Sequence, residues 1–147
     1  MNILGLDVST SITGVCVMNG KGEILFCEAI DTRNKNKFPS LLSKASFIKN
    51  KLREIEDAYI IDKIYIEESL QSFRSGFSSA KTLSILSKIN GIVSYLVCDI
   101  FEKEPEYISA PSARKTCGIK IPRGQKAKQV VLDFLLDSEP NFMVEYT

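Results

Sequence analysis

Apolar and polar positions along this chain follow two rhythms, a strand-like one at the start and a helical one later. Ile3-Leu4-Gly5-Leu6 is an apolar run that meets one carboxylate, Asp7. A small, hydroxyl-rich turn follows, and a second apolar run leaves it from Val15 to Met18. The pattern predicts a hairpin of two strands with Asp7 at the inner edge of the first. Asn19-Gly20-Lys21-Gly22 is a turn signal. Glu23 to Ile30 then reads as a third strand, so the chain opens with a meander. Asp31 to Pro39 is a polar, basic loop. From Leu41 to about Tyr59 the period becomes helical, with Leu41, Ala45, Ile48, Leu52 and Ile55 on one face and Ser40 as the cap.

Lys63-Ile64-Tyr65-Ile66-Glu67-Glu68-Ser69 is the next strand, short, β-branched and aromatic, ending in two acids. A helix separates it from the first strands, so it can lie parallel to one of them. A polar loop from Gln71 to Ser79 leads into a long helix from about Ser79 to Phe101. That helix is apolar on more than one face, which predicts more than one packing partner, either inside the monomer or across a dimer. Glu106 to Ser109 reads as a fifth strand. A short helix runs from Pro111-Ser112 to near Gly118, a loop spans Ile119 to Gly124, and a last helix runs from Gln125 to Asp137. The order β-β-β-α-β-α-β-α predicts an α/β fold: one mixed five-stranded sheet, its first three strands an antiparallel meander, flanked by helices. At 147 residues the chain reads as a single domain, 1–147.

Composition narrows the chemistry. Apolar residues are 44% and charged residues 25%, ordinary for a globular protein. No apolar run is read as approaching the roughly 20 residues of a membrane span, and no signal peptide is read at the N-terminus. The expected location is therefore cytoplasmic, or the host-cell cytoplasm for a viral protein. Cys16, Cys27, Cys98 and Cys117 lack C-x-x-C spacing and read as buried or incidental thiols, not a zinc site or disulfide framework. There is no histidine. A Ser-His-Asp triad, a histidine metal site and histidine general-base chemistry are excluded.

Net charge is only +1, but the charges are segregated. Thr32 to Arg53, Ser69 to Cys98 and Ala110 to Leu132 contain no acid and hold 16 of the 19 basic residues. Such stretches suit a phosphate-binding face; the plainer reading is solvated helix faces. The carboxylates in the apolar strands add a second clue. A carboxylate inside an apolar strand is costly unless paired, and from spacing alone Asp7 is equally a turn cap and a metal ligand. If the first and fourth strands are parallel neighbours, Asp7 meets Glu67 or Glu68. Converging carboxylates repel unless protonated or metal-bound, and Mg²⁺ held this way supports phosphodiester cleavage. An ATP-binding domain, with the Ser-Thr turn on phosphate, fits the same residues.

Gly5-Leu6-Asp7-Val8-Ser9-Thr10-Ser11-Ile12-Thr13-Gly14 resembles the opening motif of the RuvC-like Holliday junction resolvases of the ribonuclease H-like superfamily. Tyr65-Ile66-Glu67-Glu68-Ser69 resembles their second motif, with Glu67 as the matching acid. The later basic segment, Arg114 to Lys128, also fits the family's order, and the lysine-rich character is similar to its viral or phage branch. Actin-like kinases share the first motif but are longer, with a second glycine-rich phosphate loop.

The resemblance implies a homodimer that cuts four-way DNA junctions with Mg²⁺ or Mn²⁺. It implies Asp7 and Glu67 as catalytic metal ligands and Lys126 as a catalytic basic residue near the scissile phosphate. Lys115, Arg123 and Lys128 would contact the DNA backbone. Phe73 and Arg74, in the loop after the Glu strand, would contact the junction, with Phe77 more plausibly a packing anchor. The family completes its site with two further acids on a last helix. Asp133 and Asp137, spaced i, i+4, read instead as a solvated face, and Glu139 and Glu145 fall in an irregular tail. The expectation is an endonuclease domain cut short before that helix, with a weakened site. The alternative is a non-catalytic module of the same fold that binds branched DNA.

Overall fold

The computed structural model describes residues 1–68 and 79–142. Five strands form one sheet: β1 (Asn2–Asp7), β2 (Ile12–Asn19), β3 (Ile24–Asp31), β4 (Lys63–Glu67) and β5 (Glu106–Ile108). Their order across the sheet is β3-β2-β1-β4-β5. The meander is antiparallel, and β4 lies parallel to β1, with Leu4 opposite Ile64 and Leu6 opposite Ile66. The intervening helix makes this parallel return possible. The sheet is therefore mixed and of the expected α/β class.

Alternation along the strands assigns the two faces. Leu4, Leu6, Val15, Val17, Ile30, Ile64 and Ile66 turn to one side and are buried. Helices α1 (Leu41–Ala58) and α2 (Ala80–Phe101) cover them with Ala45, Ile48, Leu52 and Ile55, and with Ile89, Val93, Val97 and Phe101. Ser40 closes α1 with a capping box shared with Ser43, and Ser79 caps α2 by accepting from the Thr82 amide. The other face carries Gly5, Asp7, Cys16, Cys27, Tyr65 and Glu67. It meets α3 (Ala110–Thr116) and α4 (Ala127–Ser138), neither of which holds a buried residue.

Several boundaries and one property differ from expectation. β3 is shifted by one residue, to 24–31, because Asn19 organises the turn: its side-chain oxygen accepts the amides of Lys21 and Glu23. β4 stops at Glu67 and β5 at Ile108. The last helix starts at Ala127, since Gly124 takes a positive φ of 84° and the Gln125 amide bonds Pro122 in a turn. Contrary to the expectation about membrane spans, α2 is long and apolar enough by length and composition to cross a bilayer. Here one stripe of it fills the core while Tyr95 on another side is exposed.

Candidate active site

Asp7 and Glu67 are the last residues of β1 and β4. Because Leu6 faces Ile66 across the parallel pair, the next residue on each strand brings a carboxylate to the same end and the same face of the sheet. Their hydrophobic neighbours Leu6 and Ile66 point the opposite way, into the core, and hold both backbones rigid. Beside Asp7, Gly14 of β2 presents only hydrogen, and a Cβ built there would lie 3.8 Å from the Asp7 Cβ.

The pair differs in burial. Asp7 is exposed, so the cost of burying a carboxylate falls on Glu67, which is half-buried, and not on Asp7 as the strand pattern predicts. Burial first, then the charge of Asp7 and a hydrogen bond with it, push Glu67 up to about 7; Arg114 opposes the shift. The Glu67 carboxyl thus keeps its proton up to near-neutral pH.

Asp7 does not cap its own turn among the described residues. Thr13 does so instead: its hydroxyl bonds the Ser9 carbonyl at 3.1 Å and accepts the Ser9 amide at 3.3 Å. The Thr32 hydroxyl reaches the Thr10 and Ser11 carbonyls at 2.9 and 3.2 Å. Lys44, from α1, adds its ammonium to the Thr10 carbonyl at 2.6 Å. This leaves the Asp7 carboxylate uncommitted to the turn.

Two clefts open on the pair. One, at the end of the sheet, is lined by Asp7, Ser9, Glu67, Glu68, Asn90 and Ser109. The other runs under α3 and α4, where Asp7 and Glu67 meet Tyr65, Arg114, Lys128 and Val131. Lys128 therefore lines the same cleft as the carboxylates. Lys126 caps the start of α4 and is exposed, as are Lys115 and Arg123; none of the three lines either cleft. Phe73, Arg74 and Phe77 lie outside the described residues. Among the described residues, no third Asp, Glu, Cys or His joins the pair in a cluster fit to hold a metal ion.

Two residues at the site are not singled out by the sequence reading. Arg114 shares the inward face of α3 with Ala110 and Ala113. The small side chains at i and i+3 mark that face, and Arg114 follows at i+4, whereas Lys115 is turned away. Asn90 interrupts the apolar stripe of α2 and is 8% exposed. Its amide group donates to the Leu86 carbonyl at 2.9 Å. Its carbonyl oxygen accepts no hydrogen bond among the described residues, and no fully buried polar atom there lacks a partner. Asn90 lines the cleft at the end of the sheet beside Asp7 and Glu67.

No protein-family model and no curated protein sequence matches the chain. Solved structures do. Thermus thermophilus RuvC superposes with a TM-score of 0.65 at 17% identity, over 93% of this chain and 79% of that one. The fold matches that of RuvC. The T. thermophilus RuvC in complex with a Holliday junction substrate superposes with a TM-score of 0.64 at 13% identity, over 78% of this chain and 68% of that one. The yeast mitochondrial Holliday junction resolvase Ydc2 follows, with a TM-score of 0.55 at 17% identity, over 92% of this chain and 60% of that one. At these identities the likeness is one of fold, and the ribonuclease H-like class expected from the sequence stands.

Proposed function

We propose that this chain is a divalent-metal-dependent endodeoxyribonuclease that cuts four-way DNA junctions by phosphodiester hydrolysis. The observation that carries the reading is the Asp7–Glu67 pair, two carboxylates brought to the same end and face of the sheet by adjacent parallel strands. The fold shared with RuvC supports the substrate class.

The donor set fits Mg²⁺ or Mn²⁺. It is made of hard carboxylate oxygens whose mutual repulsion a divalent cation would relieve, and Mg²⁺ is held by one or two carboxylates while keeping water and substrate phosphate. An ion held there would supply an activated water and charge neutralisation at the phosphodiester. The chain's own residues do the rest. Asp7 and Glu67 would hold the ion at the end of the sheet. Arg114 and Lys128 place positive charge in the same cleft, where they attract the DNA backbone and balance the acids. Lys115, Arg123 and Lys126 extend that basic surface along α3, the following loop and the start of α4. Phe73 and Arg74 stay assigned to junction contact on the family resemblance. The incompletely buried α2 is the surface we assign to a homodimer, which would set two such sites on one junction.

One observation favours a second reading. Only two metal-ligating side chains converge among the described residues, which suits a branched-DNA-binding module without catalysis. Incubation with a synthetic four-way junction, and with a duplex of the same sequence, in Mg²⁺ or Mn²⁺ separates them. Nicks in the junction and not the duplex support the nuclease. Selective junction binding with no nicks in either metal supports the module. Absence of junction preference removes both.

A further inference from the structure

Cys16 and Cys27 face each other directly across the β2–β3 antiparallel pair. A bulge at Val17/Met18 makes this so: beyond it Met18 pairs with Ile24, and the one-residue shift sets Cys27, instead of Phe26, opposite Cys16. The same shift turns Phe26 toward the core side, where its ring lies 6.3 Å from that of Tyr59.

The kind of pairing matters. The Thr32 amide donates to the Ser11 carbonyl at 2.9 Å, so Ser11 and Thr32 form a hydrogen-bonded pair in the same register. Such pairs alternate with non-hydrogen-bonded ones along an antiparallel ladder. Counting five residues along each strand makes Cys16 and Cys27 a non-hydrogen-bonded pair. Cα atoms in such pairs are about 4.5 Å apart, at the near end of the roughly 4.4–6.8 Å range that a disulfide spans.

The two thiols act on each other across the pair. The interaction with Cys16 draws Cys27 down to about 7, and the interaction with Cys27, with burial next, raises Cys16. Cys27 is exposed on an edge strand, and Cys16 is half-buried behind it. One member of the pair is therefore the accessible, more easily ionised thiol, and the other is its neighbour in reach.

We propose that Cys16 and Cys27 form a thiol–disulfide exchange site that reacts with low-molecular-weight disulfides such as oxidised glutathione. The Cys27 thiolate attacks one sulfur of the small disulfide, forming a mixed disulfide and releasing one small thiolate. Cys16 then loses its proton and attacks the Cys27 sulfur, releasing the second small thiolate. Two protein thiols are oxidised to one intrachain disulfide, and one small disulfide is reduced to two small thiols. The new bond staples edge strand β3 to β2. The site stands independently of the proposed nuclease function and uses none of its residues.

The test uses the full chain in glutathione redox buffers, with Cys98→Ser and Cys117→Ser to remove the other thiols. The expected result at an oxidising poise is loss of both remaining thiols to Ellman's reagent in denaturant, with an intact mass lower by two hydrogens and full reversal by dithiothreitol. Peptide mapping of the unsubstituted chain should find the Cys16–Cys27 link, which guards against a misfolded variant. Cys27→Ser should leave Cys16 largely unreactive. Persistence of both thiols under oxidising conditions, a mixed glutathione adduct that Cys16 never resolves, or a disulfide-linked dimer would each overturn the proposal.

Discussion

Glu67 stands beside Asp7 at the same end of the sheet, and its half-closed surroundings first, then the Asp7 charge, keep its carboxyl from ionising at its ordinary pH. Two strands that alternate apolar and polar residues put a pair of like charges where neither can avoid the other. This tension has measurable consequences for the protein without metal.

The first concerns pH. Glu67 has a folded pKa of about 7 against an ordinary value of 4.5. The native state therefore binds more protons than the unfolded chain between these values, and stability falls as pH rises through that window. In a chelator, the thermal midpoint should drop between about pH 5 and about pH 8. Glu67→Gln should flatten this slope and be the more stable form at the alkaline end. A slope unchanged by the substitution would show that the pair is not its source.

Metal should reverse the effect. An ion that binds the native carboxylates and not the unfolded chain raises the midpoint with concentration. Mn²⁺ added at about pH 8 should stabilise the unsubstituted protein, and Asp7→Asn should abolish the response. Asn90 supplies a graded comparison. With its side chain lining the same cleft, Asn90→Leu should weaken the Mn²⁺ response while leaving the fold intact in chelator. An unchanged titration would place Asn90 outside the ion's reach.

Much of this site is legible in the sequence. β1 and β4 each end an apolar run in an acid, a helix between them permits a parallel pair, and so Asp7 meets Glu67. Less legible is what surrounds the pair. Arg114 and Lys115 are adjacent in the chain, and only the inward turn of Ala110 and Ala113 selects the first. Asn90 reads as a flaw in an apolar stripe until the cleft beside it is seen. Cys16 and Cys27 could not be matched at all, because their register depends on one extra residue, Leu25 of β3, opposite the Val17/Met18 step.

The clamp on the first turn gives a stability prediction. Lys44 and Thr32 both donate to the Thr10 carbonyl, at 2.6 and 2.9 Å. Lys44→Met keeps the stem but removes the ammonium, while Thr32 still satisfies the carbonyl. The expected loss is about 1.5 kcal/mol in denaturant titration, at the lower end for a charged hydrogen bond. No loss would mean that the ammonium is as well solvated as it is bonded.

The basic surface predicts a salt dependence. Arg114→Ala and Lys128→Ala should each weaken junction binding and reduce the slope of log affinity against log salt by about 1. Lys63, at the opposite end of β4 from Glu67, is the control, and Lys63→Ala should leave the slope unchanged. Equal slopes in all three variants would place the DNA on another face.

The most direct measurement is the rate of nicking of a synthetic four-way junction in Mg²⁺ or Mn²⁺ by the unsubstituted chain and by Asp7→Asn at matched junction occupancy. The account predicts nicking by the former and none by the latter, with junction binding retained in both. Nicking that survives Asp7→Asn would contradict the assignment of the site.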